Sequence, residues 1–279
     1  MRPFQQVDVF STESLRGNPV AVVHEAEGLT TEQMERFTRW TNLSEATFLL
    51  PPDDPAADYR VRIFTQVGEL PFAGHPTLGT CHAWLAAGGQ PRDPERIVQG
   101  CPAGLIPIRR IDGVLAFEAP PTTRSGPVAA EDLQRIARVL GISLEEVVDS
   151  AWADNGPGWV AVMLESAEAV LALKPVGDSE HIDLGVVGPY PPGSECAYEV
   201  RAIFTNDRGE IMEDPVTGSL NASVAQWLVG NGLVEPPYTA AQGTAMGRAG
   251  RPRISQDADG AIWVGGATRT IVEGTVDIA

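Results

Sequence analysis

The sequence predicts an α+β fold built from two similar halves, each with several strands and one central apolar helix. Three observations predict it. Short motifs recur at a spacing of about half the 279-residue chain, which indicates a duplicated architecture. Each half combines several strand patterns with one helix that is apolar on several sides. The strands do not alternate strictly with helices, which disfavours a doubly wound parallel sheet.

The repeats are short, but their spacing is nearly constant. Val20-Ala21-Val22 recurs 140 residues later as Val160-Ala161-Val162, and the same spacing separates Ile63-Phe64-Thr65 from Ile203-Phe204-Thr205. Further matches link Gly68-Glu69 with Gly209-Glu210, His75-Pro76 with Asp214-Pro215, and Thr77 with Thr217. Two copies indicate two domains that face each other across a pseudo-twofold axis rather than a solenoid.

The predicted domains cover residues 1–122 and 128–268. The boundary falls near residues 120–127, where proline, glycine and hydroxyl residues crowd together, as they do in linkers. We expect that the C-terminal strand, at 269–279, can pair back onto the first domain.

The first half begins with strands. Strand patterns occupy residues 3–10, 19–24, 46–50 and 59–65. The sequence Thr30-Thr31-Glu32-Gln33 is typical of a capping box and begins a helix that leads to Trp40. His75-Pro76 begins the central helix, which stops at Gly88-Gly89, because proline suits the first helical position and glycine the position past the end.

The second half repeats this plan. Strand patterns occupy residues 159–164, 198–205, 261–264 and 267–273. Helices are predicted near 130–140 and near 143–149. Asp214-Pro215 begins the central helix, with aspartate as the N-cap and proline at the first helical position, and the helix ends near Gly230.

Composition excludes several classes of partner. The formal net charge is −17 and the basic residues are scattered, so neither nucleic acid nor an anionic membrane is an expected partner. No stretch approaches the length of a membrane span, and the N-terminus lacks the apolar segment of a signal peptide, so we expect a cytoplasmic protein. Cys81, Cys101 and Cys196 form no CxxC pair, and we expect small buried side chains rather than a disulfide or zinc site.

The two repeat-related helix starts are the strongest candidates for a catalytic site. Residues 74–79 and 214–219 each offer backbone N–H groups at a helix N-terminus, where the helix dipole favours an anion. If the halves face each other, the two starts form one cleft suited to a carboxylate, with His75 and Asp214 as an acid–base pair at its rim. The alternative is that His-Pro and Asp-Pro are ordinary helix openings.

Glu45 is a further candidate, because it directly precedes an apolar strand. At the mouth of a cleft, partial burial would raise its pKa toward that of a useful proton shuttle. The alternative is a solvated loop glutamate.

A metal site at His75, Cys81 and His82 is disfavoured, because the first two are six residues apart and His82 would point away from Cys81. The sequence contains no phosphate loop, nucleophile elbow or dinucleotide fingerprint.

Several of these segments resemble the PhzF-like (phenazine-biosynthesis) family, whose members are relatives of diaminopimelate epimerase. The matching stretches are Gly17–Val23, Asn42–Phe48, Glu69–Gly79, Glu213–Ser219, Gln242–Arg248 and Val264–Gly266. The resemblance spans nearly the whole chain. Its two specific motifs are GHPTLG, at 74–79, and EDPVTGS, at 213–219.

The resemblance implies two pseudo-symmetric domains, each a mixed, mostly antiparallel sheet wrapped around a central helix, as in diaminopimelate epimerase. It implies that Glu45 is the general acid/base, which takes a proton from one substrate carbon and returns it at another. His75, Asp214 and Ser219 would hold the substrate and assist proton movement. The implied substrate-binding residues are Gly74, Pro76, Thr77, Thr217 and Gly218. The resemblance implies no metal or organic cofactor, and it implies a homodimer.

The leading hypothesis is therefore a cofactor-independent isomerase that carries out an allylic proton transfer on a small carboxylate-bearing substrate. The family prototype isomerises trans-2,3-dihydro-3-hydroxyanthranilate. An amino-acid epimerase or racemase and a non-catalytic small-ligand-binding protein of the same fold are the alternatives. Diaminopimelate epimerase uses two cysteines at the paired helix starts, where this chain has Gly74 and Asp214, and this disfavours two-thiol racemisation. Ala46 replaces a threonine that is frequent in the family, which leaves the hydrogen bonding of Glu45 open.

Overall fold

The computed structural model describes residues 1–177, 180–206 and 208–278. The chain divides into two compact units. Unit 1 comprises Met1–Glu118 and the residues from Gly265 onward, and unit 2 comprises Ala119–Val264.

The elements have the following bounds. The strands are β1 (Arg2–Val9), β2 (Asn18–Val23), β3 (Glu45–Leu50), β4 (Tyr59–Thr65), β5 (Glu69–Leu70), β6 (Ile97–Cys101), β7 (Gly104–Ile111), β8 (Val114–Glu118), β9 (Arg124–Gly126), β10 (Val147–Asp154), β11 (Val160–Leu164), β12 (Asp183–Pro189), β13 (Tyr198–Thr205), β14 (Ile211–Asp214), β15 (Tyr238–Gln242), β16 (Arg253–Gln256), β17 (Ile262–Gly266) and β18 (Thr268–Val276). The helices are α1 (Thr31–Thr41), α2 (Gly74–Ala86), α3 (Ala130–Leu140), α4 (Ala167–Ala172) and α5 (Gly218–Gly230). Two short 3-10 helices cover Leu144–Glu146 and Thr244–Met246.

The sheet of unit 1 is mixed, with antiparallel pairs in the majority. Neighbouring strands across it are β18, β1, β2, β3, β4, β6, β7 and β8. The pairs β2–β3 and β4–β6 are parallel, and the short β5 is added antiparallel to β4. The C-terminal strand β18 thus pairs with the first strand of the chain.

Unit 2 repeats this order of strands and directions. Its neighbours are β9, β10, β11, β12, β13, β15 and β16, with β14 added to β13. The parallel pairs are β11–β12 and β13–β15, which correspond to β2–β3 and β4–β6. The repeated motifs lie on corresponding strands, since VAV falls on β2 and β11 and IFT on β4 and β13. The predicted α+β class with two similarly built halves is confirmed.

Each unit wraps its sheet around one helix, as the resemblance implies. In unit 1, α2 lies against β1, β2, β3, β8 and β18. A Cβ on Gly79 would lie 2.3 Å from Cγ1 of Val20, so glycine is what lets α2 approach β2 this closely. In unit 2, α5 packs Leu220, Val224 and Leu228 into a core with side chains from β10, β11, β12, β13 and β15.

The remaining helices cover the other faces of the sheets. In unit 1, Met34 and Phe37 of α1 pack on β2, β3 and β4, and the predicted capping box between Thr30 and Gln33 is present. In unit 2, α3 and α4 contribute to a separate core cluster with β11 and β12. Within the described residues, no helix is both long and apolar enough to cross a bilayer.

Three local predictions are wrong. The helix predicted near 143–149 is only the 3-10 turn at Leu144–Glu146, because the β-branched residues that follow join β10 and pair with β11. The helix α2 begins at Gly74, which places Pro76 at its third residue rather than its first. The helix α5 begins only at Gly218, with Thr217 as N-cap, because Asp214 is still paired in β14. In addition, β9 occupies part of the stretch predicted to be a linker.

Candidate active site

Glu45 and His75 meet in unit 1. Glu45 is the first residue of β3, where it pairs with Val20 of the parallel strand β2. His75 is the second residue of α2. Oε2 of Glu45 lies 3.3 Å from Nε2 of His75, and the two side chains are only 14% and 4% exposed. The carboxylate is therefore not a solvated loop glutamate. Catalytic contacts are often long in unliganded enzymes and shorten when the substrate binds.

Asn18, the first residue of β2, contacts the other side of the imidazole. Its Nδ2 lies 3.3 Å from Nδ1 of His75, and the asparagine is completely buried. Asn18 and Glu45 thus approach different nitrogens of the same imidazole. The approach of Nε2 to Oε2 of Glu45 is a close polar contact without hydrogen-bond geometry.

Burial keeps His75 neutral. Desolvation lowers the pKa of His75 from its usual 6.5 to about 3, and the Pro19 carbonyl opposes this shift. The folded protein therefore binds fewer protons at this ring than the unfolded chain does. The corresponding stability is present above pH 6.5 and is lost as the pH falls from there toward about 3. At neutral pH the ring therefore carries no positive charge.

The loop before β2 is held by a buried carboxylate. Oδ2 of Asp8 accepts hydrogen bonds from the backbone N–H groups of Arg16 (3.1 Å) and Gly17 (3.2 Å). A Cβ on Gly17 would lie 2.2 Å from the carbonyl oxygen of Val9, so this tight approach requires glycine. The loop therefore delivers Asn18 to the imidazole from a fixed position.

Asn18→Asp is expected to raise the pKa of His75, because a carboxylate beside Nδ1 favours the protonated ring. A charged imidazolium next to Glu45 would make its carboxylate a weaker base, so turnover should fall on the order of 100-fold. Nitrogen-15 chemical shifts of His75, followed against pH, report the protonation of the ring.

Asn231→Asp, at an exposed position beyond α5, is the control for the added charge and should leave both the His75 titration and turnover unchanged. An unchanged His75 titration in Asn18→Asp would contradict the prediction.

The start of α2 is held by a second buried amide. Nε2 of Gln99, on β6, donates to Oγ1 of Thr77 at 2.9 Å, and the hydroxyl of Tyr59 donates to Oε1 of Gln99 at 3.2 Å. Gly74, Pro76 and Thr77 are buried in this first turn. The N-cap, Ala73, makes no side-chain hydrogen bond to the turn.

Asp214 and Thr217 meet in unit 2. Asp214 ends β14, and its Oδ2 accepts a hydrogen bond from the Thr217 hydroxyl at 2.6 Å. The backbone N–H of Thr217 donates to Oε1 of Gln242 at 3.0 Å. Gly218 is buried directly after the N-cap. These contacts order the segment that carries the EDPVTGS motif.

Ser219 is half-buried in the first turn of α5. Its hydroxyl accepts a hydrogen bond from Nε1 of Trp159 at 3.3 Å, and its carbonyl accepts one from Nδ2 of Asn155 at 2.8 Å. The structure thus joins Glu45 with His75 in unit 1 and Asp214 with Thr217 in unit 2, and it places Ser219 beside Trp159.

The two VAV motifs face different sides of their sheets. Val20 pairs with Glu45 and contacts α2, whereas Val160 pairs with Leu184 in the cluster that includes α3 and α4. The first residue of β12 is Asp183, as Glu45 is the first residue of β3. Burial raises the pKa of the Asp183 carboxyl group. Each unit therefore begins this strand with a carboxylate.

The cysteines are poorly suited to thiolate chemistry. Burial raises the pKa of the Cys81 thiol to about 12. Burial also raises the pKa of Cys101 and that of Cys196. A thiol must ionise to act as a base or nucleophile, and these environments oppose ionisation.

Sequence reasoning assigned no role to Asn18, Gln99, Gln242 or Asn221. A signal was present for two of them. Gln99 and Gln242 are separated by 143 residues, close to the spacing of the other repeats, and both bind the threonine of the repeated motif. Asn18 lies two residues before the repeated VAV motif, but its contact with His75 spans 57 residues and has no local pattern.

Known proteins resemble the chain over most of its length. The chain is 34% identical over 295 residues to antisense-enhancing sequence 1 of Schizosaccharomyces pombe, with 97% of each chain covered. It is 34% identical over 257 residues to trans-2,3-dihydro-3-hydroxyanthranilate isomerase of Pseudomonas fluorescens, with 89% of this chain and 88% of that protein covered. A solved structure described as a predicted epimerase, from Pseudomonas aeruginosa, matches with a TM-score of 0.81 at 25% identity, covering 99% of each chain.

A family model described as phenazine biosynthesis-like protein matches residues 7–274. This match covers both units and every candidate residue described above. The chain belongs to the phenazine biosynthesis-like (PhzF) protein family.

Proposed function

We propose that this isomerase catalyses a cofactor-independent proton transfer that shifts a double bond in a small carboxylate-bearing substrate. The observation that supports the proposal most is the buried group of Asn18, His75 and Glu45. It places one carboxylate, at the first residue of a strand, 3.3 Å from a neutral imidazole. The carboxylate of such a pair can take up and release a proton while the imidazole stays uncharged.

Glu45 is the proposed proton shuttle. Its carboxylate removes a proton from a saturated carbon next to the double bond, and the electrons of that C–H bond form the new double bond. The original double bond opens toward its far carbon, which takes the proton back from the Glu45 carboxylic acid. Substrate and product are therefore isomers, and Glu45 returns to its starting state. His75 lies beside this carboxylate and is proposed to assist the proton movement.

Asp214 and Ser219 are proposed to hold the substrate and assist the proton movement, as the family resemblance implies. The backbone at the two helix starts is proposed to bind the substrate carboxylate, since N-terminal N–H groups and the helix dipole favour an anion. The proposed binding residues there are Gly74, Pro76, Thr77, Thr217 and Gly218.

The candidate substrate is trans-2,3-dihydro-3-hydroxyanthranilate. Relatives named as isomerases of this compound are 33–39% identical to the chain over the aligned residues. The compound carries the required carboxylate and an unsaturated ring in which a proton can move between carbons. The proposed reaction requires no redox partner, because the substrate and the product have the same composition.

Incubation of the purified protein with this compound in deuterated water tests the proposal. We expect the substrate to disappear and an isomer of the same composition to form, with solvent deuterium at the carbon that receives the proton. Liquid chromatography with mass spectrometry measures conversion and label together. An unchanged substrate at high protein concentration would exclude this compound, and a product of different composition would exclude isomerisation.

A further inference from the structure

Gln242 makes four hydrogen bonds at the start of α5. Its Oε1 accepts from the backbone N–H of Thr217 at 3.0 Å and from Nδ2 of Asn221 at 2.7 Å. Its Nε2 donates to Oγ1 of Thr217 at 3.0 Å and to the carbonyl oxygen of Asp214 at 3.2 Å. The side chain is completely buried. Every hydrogen-bonding position of the amide is thus used within one segment.

Two backbone groups determine which way this amide points. The N–H of Thr217 can only donate, so it must face the amide oxygen of Gln242. The carbonyl of Asp214 can only accept, so it must face the amide nitrogen. Nε2 therefore donates to the Thr217 hydroxyl, and the hydroxyl is left to donate its own proton to Oδ2 of Asp214, 2.6 Å away.

Unit 1 contains the same contact in a different chemical setting. Gln99 donates to Oγ1 of Thr77 from β6, the strand that corresponds to β15. The repeat places His75 where unit 2 has Asp214. The glutamine–threonine pair is therefore a repeated structural device, and in unit 2 its threonine proton is directed at a carboxylate.

Gly243 lets Gln242 reach this segment. The glycine has a φ of +84°, and a Cβ at this position would lie 2.5 Å from the carbonyl oxygen of Pro215. Both features disfavour any other residue. The end of β15 is thus packed directly against the turn that carries Asp214.

We propose that Gln242 is a positioning residue that directs the Thr217 hydroxyl proton onto Asp214 and so keeps Asp214 an ionised proton acceptor. The role of Asp214 in the reaction rests on the proposed function.

Other charged groups lie on the elements that neighbour Asp214. Glu199 is on β13, Arg201 of β13 pairs with Glu213 of β14 at 2.7 Å, and Arg248 follows Gly243 on the next loop. The sequence of α5 contains no charged residue.

Titration of Asp214 measures the proposal without any substrate. The probe is carbon-13 in the aspartate carboxyl groups, with the Asp214 signal assigned by its loss in Asp214→Asn. Gln242→Met should raise the pKa of Asp214 by about one unit, because a hydrogen bond to the charged form is weakened. Gln242→Glu keeps the oxygen that accepts from Thr217 and Asn221 but lacks the Nε2–H groups. It is the second test variant if Gln242→Met does not fold.

A double-mutant cycle tests the route through the hydroxyl. Thr217→Val alone should raise the pKa of Asp214, and adding Gln242→Met should raise it no further, because the two side chains act in series. Gln226→Met, on α5, is the control and should leave the Asp214 titration unchanged.

The outcomes separate the two proposals. An unchanged Asp214 titration in both folded Gln242 variants would overturn the positioning role, and so would additive shifts in the double mutant. A shifted titration in a protein that converts no trans-2,3-dihydro-3-hydroxyanthranilate would overturn the substrate proposal alone. A shift of the expected sign, together with a turnover loss at the pH where Asp214 has become protonated, supports both.

Discussion

Glu45→Gln is expected to lower turnover about 10³-fold to 10⁴-fold, the upper part of the range for loss of a general acid/base. The amide has the shape of the carboxylate and fits the same place beside His75. It cannot take a proton from carbon. The substitution therefore removes the proposed chemistry while it leaves the packing of β3 against α2 in place, and the Michaelis constant should change far less than turnover.

The measurement is conversion of trans-2,3-dihydro-3-hydroxyanthranilate in deuterated water, with label incorporation followed in parallel. Glu35→Gln is the matched control, since Glu35 lies on α1 of the same unit in a partly exposed pair with Arg39 at 3.5 Å. The control should keep full turnover. Equal rates in wild type and Glu45→Gln would eliminate Glu45 as the shuttle.

Arg201→Met is expected to lower the free energy of unfolding by about 3–5 kcal/mol. This is the usual cost of removing one partner of a buried ion pair and leaving the other charge unpaired. Arg201 donates to both carboxylate oxygens of Glu213, at 3.0 and 2.7 Å, and is only 7% exposed. It also donates to the carbonyl oxygens of Val170 and Leu173 at the end of α4. Methionine fills the space but satisfies none of these acceptors.

The repeat supplies a matched control for this prediction. Arg62 and Glu69 form the corresponding bidentate pair on β4 and β5, but there the side chains are 24% and 28% exposed. Arg62→Met should therefore cost within about 1 kcal/mol, as solvent-screened pairs do. Urea unfolding monitored by circular dichroism gives both free energies of unfolding.

A second substitution distinguishes the lost pair from lost packing. Arg201→Met combined with Glu213→Leu removes the unpaired carboxylate, so most of the stability should return. If the double variant is as unstable as Arg201→Met alone, the loss of stability comes from lost packing of the arginine side chain and not from the unpaired carboxylate. Glu213 directly precedes Asp214 in β14, so the ion pair also helps to position the Asp214 carboxylate.

The duplicated framework follows from local patterns. The VAV and IFT motifs fall on corresponding strands, which need short apolar runs, although Ala21 packs against α1 and Ala161 against α5. The capping box at Thr30 was equally local, since its two hydrogen bonds join residues three apart. Such features depend on neighbours in the sequence, which is why they were predictable.

Element boundaries depended on pairing instead. Asp214-Pro215 is a strong helix start by residue type, yet Asp214 pairs with Ala202 in β14 and the helix begins four residues later. The local sequence predicts a helix at residues 147–149, but pairing with β11 stabilises this segment as a strand. In both places a sheet partner far along the chain outweighed the local preference.

The sequence by itself determined the two-half architecture and identified Glu45, His75 and Asp214 as the residues to consider. Only the tertiary structure decided which groups touch them. Asn18 faces Nδ1 of His75 across 57 residues, and Gln242 directs the Thr217 hydroxyl across 25. A buried polar group must find a partner wherever the fold brings one, so the partner is set by packing and not by sequence spacing.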